Sequence, residues 1–277
     1  MGRTVYLLEN EQTMVTIEGP SILVAKPFQA PQRIPLRLIS QVYIIGKIKL
    51  SSDFILVLAA NNIPLLIAEN SCCERAVTLP FNHKLPKFFK EQRIILENQT
   101  NLNKYINWVK AYRCYFQLQT INRFLPRHLR QKNDIGEGDY QIYLKDLLPK
   151  KRAFLSPVKK TVRFLIRGLL IENIRKAGLD VHVGAYFRRM NFGFILDLGY
   201  LLEAKEDEQV ILFFKQKNYR DFFESISDQI KNRVSYQLTK EGKKNIVYRF
   251  ENIKPKLNDQ INKVIDDFFY LIREMQS

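Results

Sequence analysis

The sequence predicts an α+β protein, with a small β-rich N-terminal domain followed by a larger helical domain. Two observations predict this division. The first 70 residues contain short β-branched or apolar runs separated by turn signals, whereas later segments repeat apolar residues at helical spacing. Residues 1–85 hold eight Lys and Arg against six Asp and Glu, and the remainder holds 36 against 22. We therefore expect two domains that differ in both secondary structure and charge.

Strands and one helix are predicted in the N-terminal part. Because Pro35 cannot donate a hydrogen bond to a neighbouring strand, residues 33–36 are predicted to form an edge segment. Ser-Ser-Asp at 51–53 precedes an apolar run, which predicts a capped helix over residues 51–61. The remaining runs predict five strands, at residues 4–8, 13–17, 21–25, 41–45 and 64–68.

A proline-punctuated linker separates the two parts, with Pro80 and Pro86 inside residues 78–86. We place the β-rich domain at residues 1–80, the linker at 81–90 and the helical domain at 91–277. Helical periodicity predicts two helices after Tyr219 and four before it, at residues 88–96, 101–124, 138–148 and 157–176.

Composition narrows the function classes. The net charge of +16 favours nucleic acid as a partner first and an anionic membrane surface second, although solubility alone can also account for such a charge. No apolar run reaches the roughly 20 residues that span a bilayer, and no leader is recognisable, so we expect a soluble, cytoplasmic, prokaryotic protein. The spacing of the cysteines and histidines predicts neither a disulfide framework nor a zinc site; they are Cys72, Cys73, Cys114, His83, His128 and His182.

Two isolated acids, Glu137 and Asp197, lie on either side of a predicted basic helix. Two carboxylates beside a cationic surface would suit metal-assisted chemistry on a phosphodiester. From the residues alone, Glu137 could equally complement the positive N-terminus of its helix.

The basic residues around these acids are candidate DNA contacts. Lysine and arginine side chains bind phosphate backbones without reading sequence, although most charge runs are simply solvated helix faces. Lys160, Arg163 and Arg167 recur at helical spacing, and the neighbouring segments add Arg127, Arg130, Lys132, Lys150, Lys151, Arg152, Arg188 and Arg189.

Several short motifs, in order along nearly the whole chain, resemble one family. They are Arg-Ile-Pro-Leu at 33–36, Gln-Val-Tyr-Ile-Ile-Gly at 41–46, Asn-Ile-Pro-Leu at 62–65, Gly-Glu-Gly at 136–138, Ala-Gly-Leu-Asp at 177–180, Leu-Asp at 196–197 and Leu-Thr-Lys-Glu-Gly-Lys-Lys at 238–244. Together they are similar to the CRISPR-associated spacer integrases, the Cas-one family. The resemblance implies a β-sandwich-like N-terminal domain that dimerises and an all-helical domain that holds prespacer and array DNA. It also implies docking on a Cas-two protein and strand joining by transesterification with Mg²⁺ or Mn²⁺.

The resemblance also implies where metal ligands would stand. Glu137 matches the metal-binding glutamate of the family, and Asp197 matches the first aspartate of its last motif. Phe187 stands at the position of the histidine ligand, and Tyr200 at that of the second acid. His182 and Glu203 are near these positions in sequence, but we do not expect either to replace a ligand. Glu137 and Asp197 are therefore the candidate catalytic and metal-binding residues of an incomplete site.

Three interpretations remain from the sequence. We favour a CRISPR adaptation protein that binds DNA as a homodimer with weak or no catalysis, beside Cas-two and an active paralogue. The second is a fully active metal-dependent endonuclease and integrase, which Phe187 and Tyr200 oppose. The third is an unrelated basic nucleic-acid-binding module, which leaves the ordered motifs unexplained. The expected cofactor is Mg²⁺ or Mn²⁺ for the active protein and none for the inactive one, and no membrane partner is expected.

Overall fold

The computed structural model describes residues 2–8, 12–69, 74–80, 84–126, 128, 135–149, 152–228 and 233–276. These residues form two compact units. The first comprises Met1–His83 and Arg220–Asn245, and the second comprises Lys84–Tyr219 and Ile246–Ser277. Strands predominate in the first unit and helices in the second, which confirms the predicted α+β class.

Eight strands of the first unit form two four-stranded sheets. Their bounds are β1 Arg3–Leu8, β2 Met14–Glu18, β3 Ser21–Ala25, β4 Gln32–Pro35, β5 Ile39–Ile45, β6 Lys49–Leu50, β7 Leu65–Ala68 and β8 Glu74–Thr78. One sheet has the order β1-β5-β7-β8, in which only the β7–β8 pair is antiparallel. The other has the order β4-β3-β2-β6, in which only the β2–β6 pair is parallel. The five predicted strands are confirmed, and β4, which ends at Pro35, is an edge strand as predicted.

Both sheets and one helix contribute to a single hydrophobic core. Helix α1 (Ser52–Ala60) begins after Ser51, whose Oγ accepts a hydrogen bond from the Phe54 amide at 3.3 Å, and the predicted capped helix is thereby confirmed. Phe54 is fully buried in one cluster that also contains Val15 and Ile22 of one sheet and Val42 of the other. Alternate residues of β1 are buried, whereas β5 is buried continuously over residues 41–45, as is usual for a parallel strand that is covered on both faces.

Seven helices contribute to the second unit. They are α2 Phe89–Arg93, α3 Gln99–Phe124, α4 Glu137–Leu147, α5 Arg152–Lys176, α6 Gly193–Leu201, α7 Glu203–Phe214 and α8 Lys240–Gln276, of which the part from Ile246 lies in this unit. Helix α5 is buried along most of its length, including Leu165, Ile166 and Leu170. Lys160 and Arg163 of the same helix are only half-buried, so α5 has one broad buried face and one basic face. None of the helices in the described ranges is long and apolar enough to cross a membrane.

The segment after Tyr219 differs from the sequence prediction. The structure has an antiparallel hairpin of β9 (Phe223–Asp228) and β10 (Arg233–Leu238), followed by the single helix α8. The prediction of two helices was therefore wrong. In β10 the apolar residues at 234, 236 and 238 alternate with polar ones, which is the period of a strand and not of a helix.

We expect Phe54→Ala to destabilise the β unit by about 3–5 kcal/mol, because it leaves a cavity in a core that both sheets share. Leu56→Ala is the matched control on the same helix. Leu56 is 65% exposed, so its truncation should change stability by about 0.5 kcal/mol or less. Urea unfolding monitored by circular dichroism measures both values, and equal losses in the two variants would contradict this description of the core.

Candidate functional site

Glu137 is the first residue of α4, and its carboxylate accepts four hydrogen bonds. Arg113 donates two of them, from Nε to Oε2 at 3.1 Å and from an Nη to Oε1 at 3.0 Å. Gln117 donates to Oε2 at 2.7 Å, and Gln141 donates to Oε1 at 3.0 Å. The planar guanidinium thus engages both carboxylate oxygens side by side, which is the strongest geometry available to an arginine–carboxylate pair.

Arg113 lies on α3 and is almost completely enclosed, since its side chain is 8% exposed, whereas that of Glu137 is 52% exposed. Its other Nη donates to the Tyr200 carbonyl and to Glu203 Oε2, each at 2.8 Å. The guanidinium also lies 4.0 Å from the centre of the Tyr200 ring. Arg113 therefore connects the first residue of α4 to the end of α6 and the start of α7.

These contacts change the acidity of both partners. Partial burial alone would raise the pKa of Glu137, but the hydrogen bonds from Arg113, Gln117 and Gln141 outweigh it and lower the pKa to about 2. Burial alone would lower the pKa of Arg113, but its bonds to Glu137 and Glu203 reverse the effect and raise it. Both groups consequently stay charged throughout the physiological pH range.

The two aromatic residues at the expected ligand positions lie together at this site. The Phe187 ring meets the Tyr200 ring edge to face, with centroids 6.1 Å apart. Tyr186 stacks on Tyr200 at 5.0 Å with an angle of 18° between the rings. The structure thus brings Glu137, Phe187 and Tyr200 to one place, with the Arg113 guanidinium between Glu137 and the aromatic rings.

Asp197 has a different environment, since it is fully buried in α6. Its Oδ2 accepts hydrogen bonds from the Tyr105 hydroxyl at 2.9 Å and from the amides of Ala185 and Tyr186 at 2.7 and 3.1 Å. Its Oδ1 accepts one from the Phe187 amide at 2.8 Å. Burial raises the pKa of Asp197, and the amides of Phe187 and Ala185 partly offset this effect. In this geometry the carboxylate fixes the backbone of residues 185–187 against α6.

Close backbone packing fixes the rest of this segment. A Cβ on Gly184 would lie 2.3 Å from the carbonyl carbon of Gly193, so only glycine fits there. His182, which is near the expected histidine position in sequence, is exposed. Its Nδ1 accepts a hydrogen bond from the Phe192 amide at 3.2 Å. It holds the loop and does not face Glu137 through any contact that the described residues make.

A network of charges on α7 was not predicted from the sequence. Lys159 of α5 lies 3.1 Å from Glu203 and 2.9 Å from Asp207. Arg163 donates from Nε to Glu206 at 2.9 Å, and the Tyr140 hydroxyl donates to Asp207 at 2.9 Å. Glu206 and Asp207 are both buried. The sequence signal was the acid-rich run at 203–208, which ordinarily indicates a solvated face rather than a buried one.

Burial dominates the acidity of this network. It raises the pKa of Glu206 to about 7, against the lowering effect of Arg163. It also raises the pKa of Asp207, against the lowering effect of Lys159. Buried ion pairs of this kind recover their desolvation cost only when every charge has partners, and removal of one member is strongly destabilising.

The basic residues singled out in the sequence have different surroundings. Arg163 points to Glu206, so at least part of its charge is already neutralised within the protein. Lys160 and Arg167 are half-buried on α5, whereas Arg152, Arg188 and Arg189 are exposed. Arg127, Arg130, Lys132, Lys150 and Lys151 lie outside the described residues.

A divalent cation does not fit this arrangement of side chains. Each Glu137 oxygen already accepts two hydrogen bonds, and a guanidinium occupies the side of the carboxylate that faces Tyr200. Asp197 is enclosed by donors, and the rings of Phe187 and Tyr200 offer no anionic ligand. Among the described residues, no group of three or more His, Cys, Asp or Glu side chains is arranged to hold a metal.

A two-sheet β unit followed by a helical unit that carries Glu137 and Asp197 on separate helices is the arrangement that the family resemblance predicts. Residues 6–142 match the sequence model described as CRISPR associated protein Cas1, the family called Cas-one above. This match confirms the family identified from the motifs and supports a role in CRISPR adaptation.

Solved structures with the same fold are distant in sequence. A Cas1 protein from Thermotoga maritima superposes with a TM-score of 0.75 at 15% identity, over 99% of this chain and 97% of that one. A casposase bound to integration product gives 0.68 at 16% identity, over 91% of this chain and 82% of that one. A chain of a Cas6-RT-Cas1–Cas2 complex gives 0.70 at 15% identity over 91% of this chain, which spans 32% of that longer chain. No curated protein matches the sequence. The low identities agree with a divergent member of the family.

We expect the Arg113–Glu137 pair to contribute stability that depends on pH. Because the folded-state pKa of Glu137 is lowered to about 2, the contribution is complete above the unfolded-state value of about 4.3 and is lost as the pH falls towards 2. Wild type should exceed Glu137→Gln in unfolding free energy by about 1–2 kcal/mol at pH 7, a margin limited by solvent at the half-exposed carboxylate.

Urea unfolding at a series of pH values from 7 to 2 measures this margin. Glu241→Gln is the control, because Glu241 forms an exposed surface pair with Lys244 and should show a margin of no more than about 0.5 kcal/mol. A wild-type margin over Glu137→Gln that stays constant down to pH 2 would show that the pair is not formed in solution.

Proposed function

We propose that this protein is a non-catalytic, DNA-binding subunit of CRISPR adaptation. It acts as a homodimer beside a catalytically competent member of the family and neither cuts nor joins DNA itself. The observation that carries the proposal is the Arg113 guanidinium paired with both oxygens of Glu137, the one acid that matches the family's metal-binding glutamate.

Strand joining requires chemical groups that this site lacks. A divalent cation polarises the phosphodiester and lowers the pKa of the attacking hydroxyl. Arg113 carries one positive charge on a fixed, almost completely enclosed side chain, so it neutralises Glu137 and cannot coordinate a hydroxyl. Phe187 and Tyr200 supply no further ligand. The site thus has a cation beside Glu137 without a metal, and it lacks the group that would activate the nucleophile.

DNA binding is supported by charge and by the related proteins. Residues 86–277 carry 36 Lys and Arg against 22 Asp and Glu, an excess that attracts a polyanion. Arg188 and Arg189 are exposed next to the segment that Asp197 fixes. A phosphate that binds there would therefore contact side chains on a backbone that is already held in place. The casposase of the same fold was solved bound to integration product.

A Cas2 partner is proposed on the basis of the Cas6-RT-Cas1–Cas2 complex, and the homodimer is proposed on the basis of the family.

We expect no strand joining by the wild-type protein with Mg²⁺ or Mn²⁺, either alone or with a candidate Cas2 partner. Neither ion should raise the melting temperature, because metal binding to the folded state would stabilise it. The assay is integration of a short labelled duplex into a supercoiled plasmid that carries a repeat. Metal-dependent joining by wild type that is lost in Glu137→Ala would contradict the proposal.

A gain-of-binding variant sharpens this test. Arg113→Gln combined with Phe187→His and Tyr200→Glu removes the guanidinium and supplies two ligands beside Glu137. This triple variant should gain a rise in melting temperature with Mn²⁺ that wild type lacks. The control variant keeps Arg113 and carries the other two substitutions. We expect it to need at least ten-fold more Mn²⁺ for the same rise in melting temperature. An equal response would mean that Arg113 does not exclude the metal.

Duplex affinity should fall steeply with salt, since each phosphate contact releases condensed counterions. Replacing both Arg188 and Arg189 with glutamine should reduce the slope of log K against log salt by about 2. Arg33→Gln is the control, because Arg33 pairs with Glu18 in the β unit, and it should leave the slope unchanged. Fluorescence anisotropy between 50 and 300 mM KCl (roughly the range over which such slopes are resolved) makes the measurement. A slope near zero for wild type would count against DNA binding.

A further inference from the structure

A groove that is open to the surface lies beside α2 and the short 3₁₀ turn Ile94–Leu96 that follows it. It offers about 500 Å³ that a ligand can enter, which is within the range of roughly 300–1,000 Å³ found for ligand clefts. Its lining combines three large apolar side chains with three charged ones; they are Leu85, Phe89, Leu96, Lys90, Arg93 and Glu97. The groove therefore has room for at least one large side chain.

Buried hydrogen bonds hold the residues that form this groove. Gln92 of α2 is fully buried, and its side-chain amide donates to the carbonyls of Asp180 and Val183 at 2.9 and 2.8 Å. Its Oε1 accepts a hydrogen bond from the Asp180 amide at 2.7 Å. The Asn101 side chain donates to the Ile94 carbonyl at 3.0 Å. A partner would therefore meet a preformed surface, and little of its binding free energy would be lost in ordering that surface.

The apolar residues of the groove are open to water. Leu85 is 64% exposed and Leu96 is 42% exposed, and Phe89, which lies between them in sequence, is half-buried. Apolar side chains that are exposed singly are common on protein surfaces, whereas those that line one groove together indicate a binding site.

The charges at the groove favour an acidic occupant. Residues 84–97 contain four Lys and Arg against two Glu. Lys90 and Arg93 are exposed, and neither forms an ion pair within the described part of the chain. The guanidinium of Arg93 lies over the Phe89 ring, 5.8 Å from its centre. Both cations are thus available to an acidic group that approaches the apolar residues.

We propose that this groove, here named the Leu85–Leu96 groove, binds a short segment of a partner protein in which Asp or Glu flanks a large apolar side chain. The apolar side chain contacts Leu85, Phe89 and Leu96, and the carboxylates pair with Lys90 and Arg93. This inference goes beyond the function proposed above, and it stands whether or not the protein joins DNA.

The apolar lining favours a protein over a nucleic acid. A DNA duplex presents phosphates and sugars, which could reach Lys90 and Arg93 but would leave Leu85 and Leu96 against polar groups or water. A leucine or phenylalanine side chain of a partner protein would instead bury both leucines and gain the hydrophobic free energy of that contact.

The test selects binders from a library of random short peptides displayed on phage, with the full-length protein as the target. The folded variant Leu96→Ser with Arg93→Gln serves for counter-selection. We expect the selected peptides to combine Leu or Phe with Asp or Glu, and to bind wild type at least about ten-fold more tightly than this variant. No enrichment over the variant would overturn the proposal, and so would enrichment of peptides that lack either the apolar or the acidic residue.

Single and double variants assign the binding to the groove, with the tightest selected peptide measured by fluorescence anisotropy. Leu96→Ser should weaken binding about ten-fold, because it removes an apolar contact. Lys90→Gln combined with Arg93→Gln should weaken it by about the same factor, and added KCl should weaken the wild-type complex. Ile142→Ser and Lys145→Gln are the controls, because both residues are exposed in the same unit and do not line the groove. Unchanged affinity in the groove variants would contradict the assignment.

Two further measurements complete the test. Melting temperatures within error of wild type establish that each variant is folded, and Leu85→Ser replaces Leu96→Ser if the latter melts lower, since Leu85 is the more exposed of the two. The double variant of Lys90 and Arg93 should retain most of the wild-type affinity for a DNA duplex of mixed sequence. An equal loss of affinity for duplex and peptide would overturn the proposal in favour of nucleic acid.

Discussion

The Arg113–Glu137 pair is the interaction on which the arrangement of the helical unit depends. One guanidinium joins α3 to the start of α4 through Glu137, to the end of α6 through the Tyr200 carbonyl, and to the start of α7 through Glu203. An enclosed arginine without acids around it would be costly, because it would lose water and gain nothing in return. Arg113 consequently needs Glu137 as an acidic partner, whether or not a metal ever binds. A glutamate at a ligand position is therefore no evidence of catalysis by itself.

The charge network on α7 extends the same constraint. Glu203 is shared by Arg113 and Lys159, and Lys159 in turn reaches Asp207, so the two ion-pair systems are continuous. Because Glu206 and Asp207 are buried and have raised pKa values, this part of the unit is held by partners and not by solvation. Lys159 and Arg163 thus join α5 to α7 through ion pairs with Asp207 and Glu206. The pair with Glu206 also takes Arg163 out of the group of cations that are fully available to DNA.

Sequence patterns predicted the first unit better than the second. Alternation, Pro35 and the Ser51 cap were local signals, and the strands and helix that they predicted are confirmed. The hairpin of β9 and β10 was missed, because its first strand has no clear alternation. At the site, motif spacing brought Glu137, Phe187 and Tyr200 to the same place in the fold. Arg113 could not be predicted in the same way, because it lies in no motif. Its only signal was its i, i+4 spacing to Gln117 within an otherwise aromatic and apolar stretch of α3.

The substitutions at the site make physical sense as a set. A metal ligand at position 200 would have to be an acid or imidazole, and such a group would compete with Glu137 and Glu203 for the same guanidinium. A tyrosine ring instead offers its face to Arg113 at 4.0 Å, which attracts a cation without adding charge. Phe187 then packs edge to face on that ring and needs no partner of its own. Where the family resemblance places an imidazole and an acid beside a divalent ion, this chain has two neutral rings and one tethered cation. Asp197 holds the backbone of residues 185–187 through its own hydrogen bonds, so under the function proposed above this segment needs no metal to keep its shape.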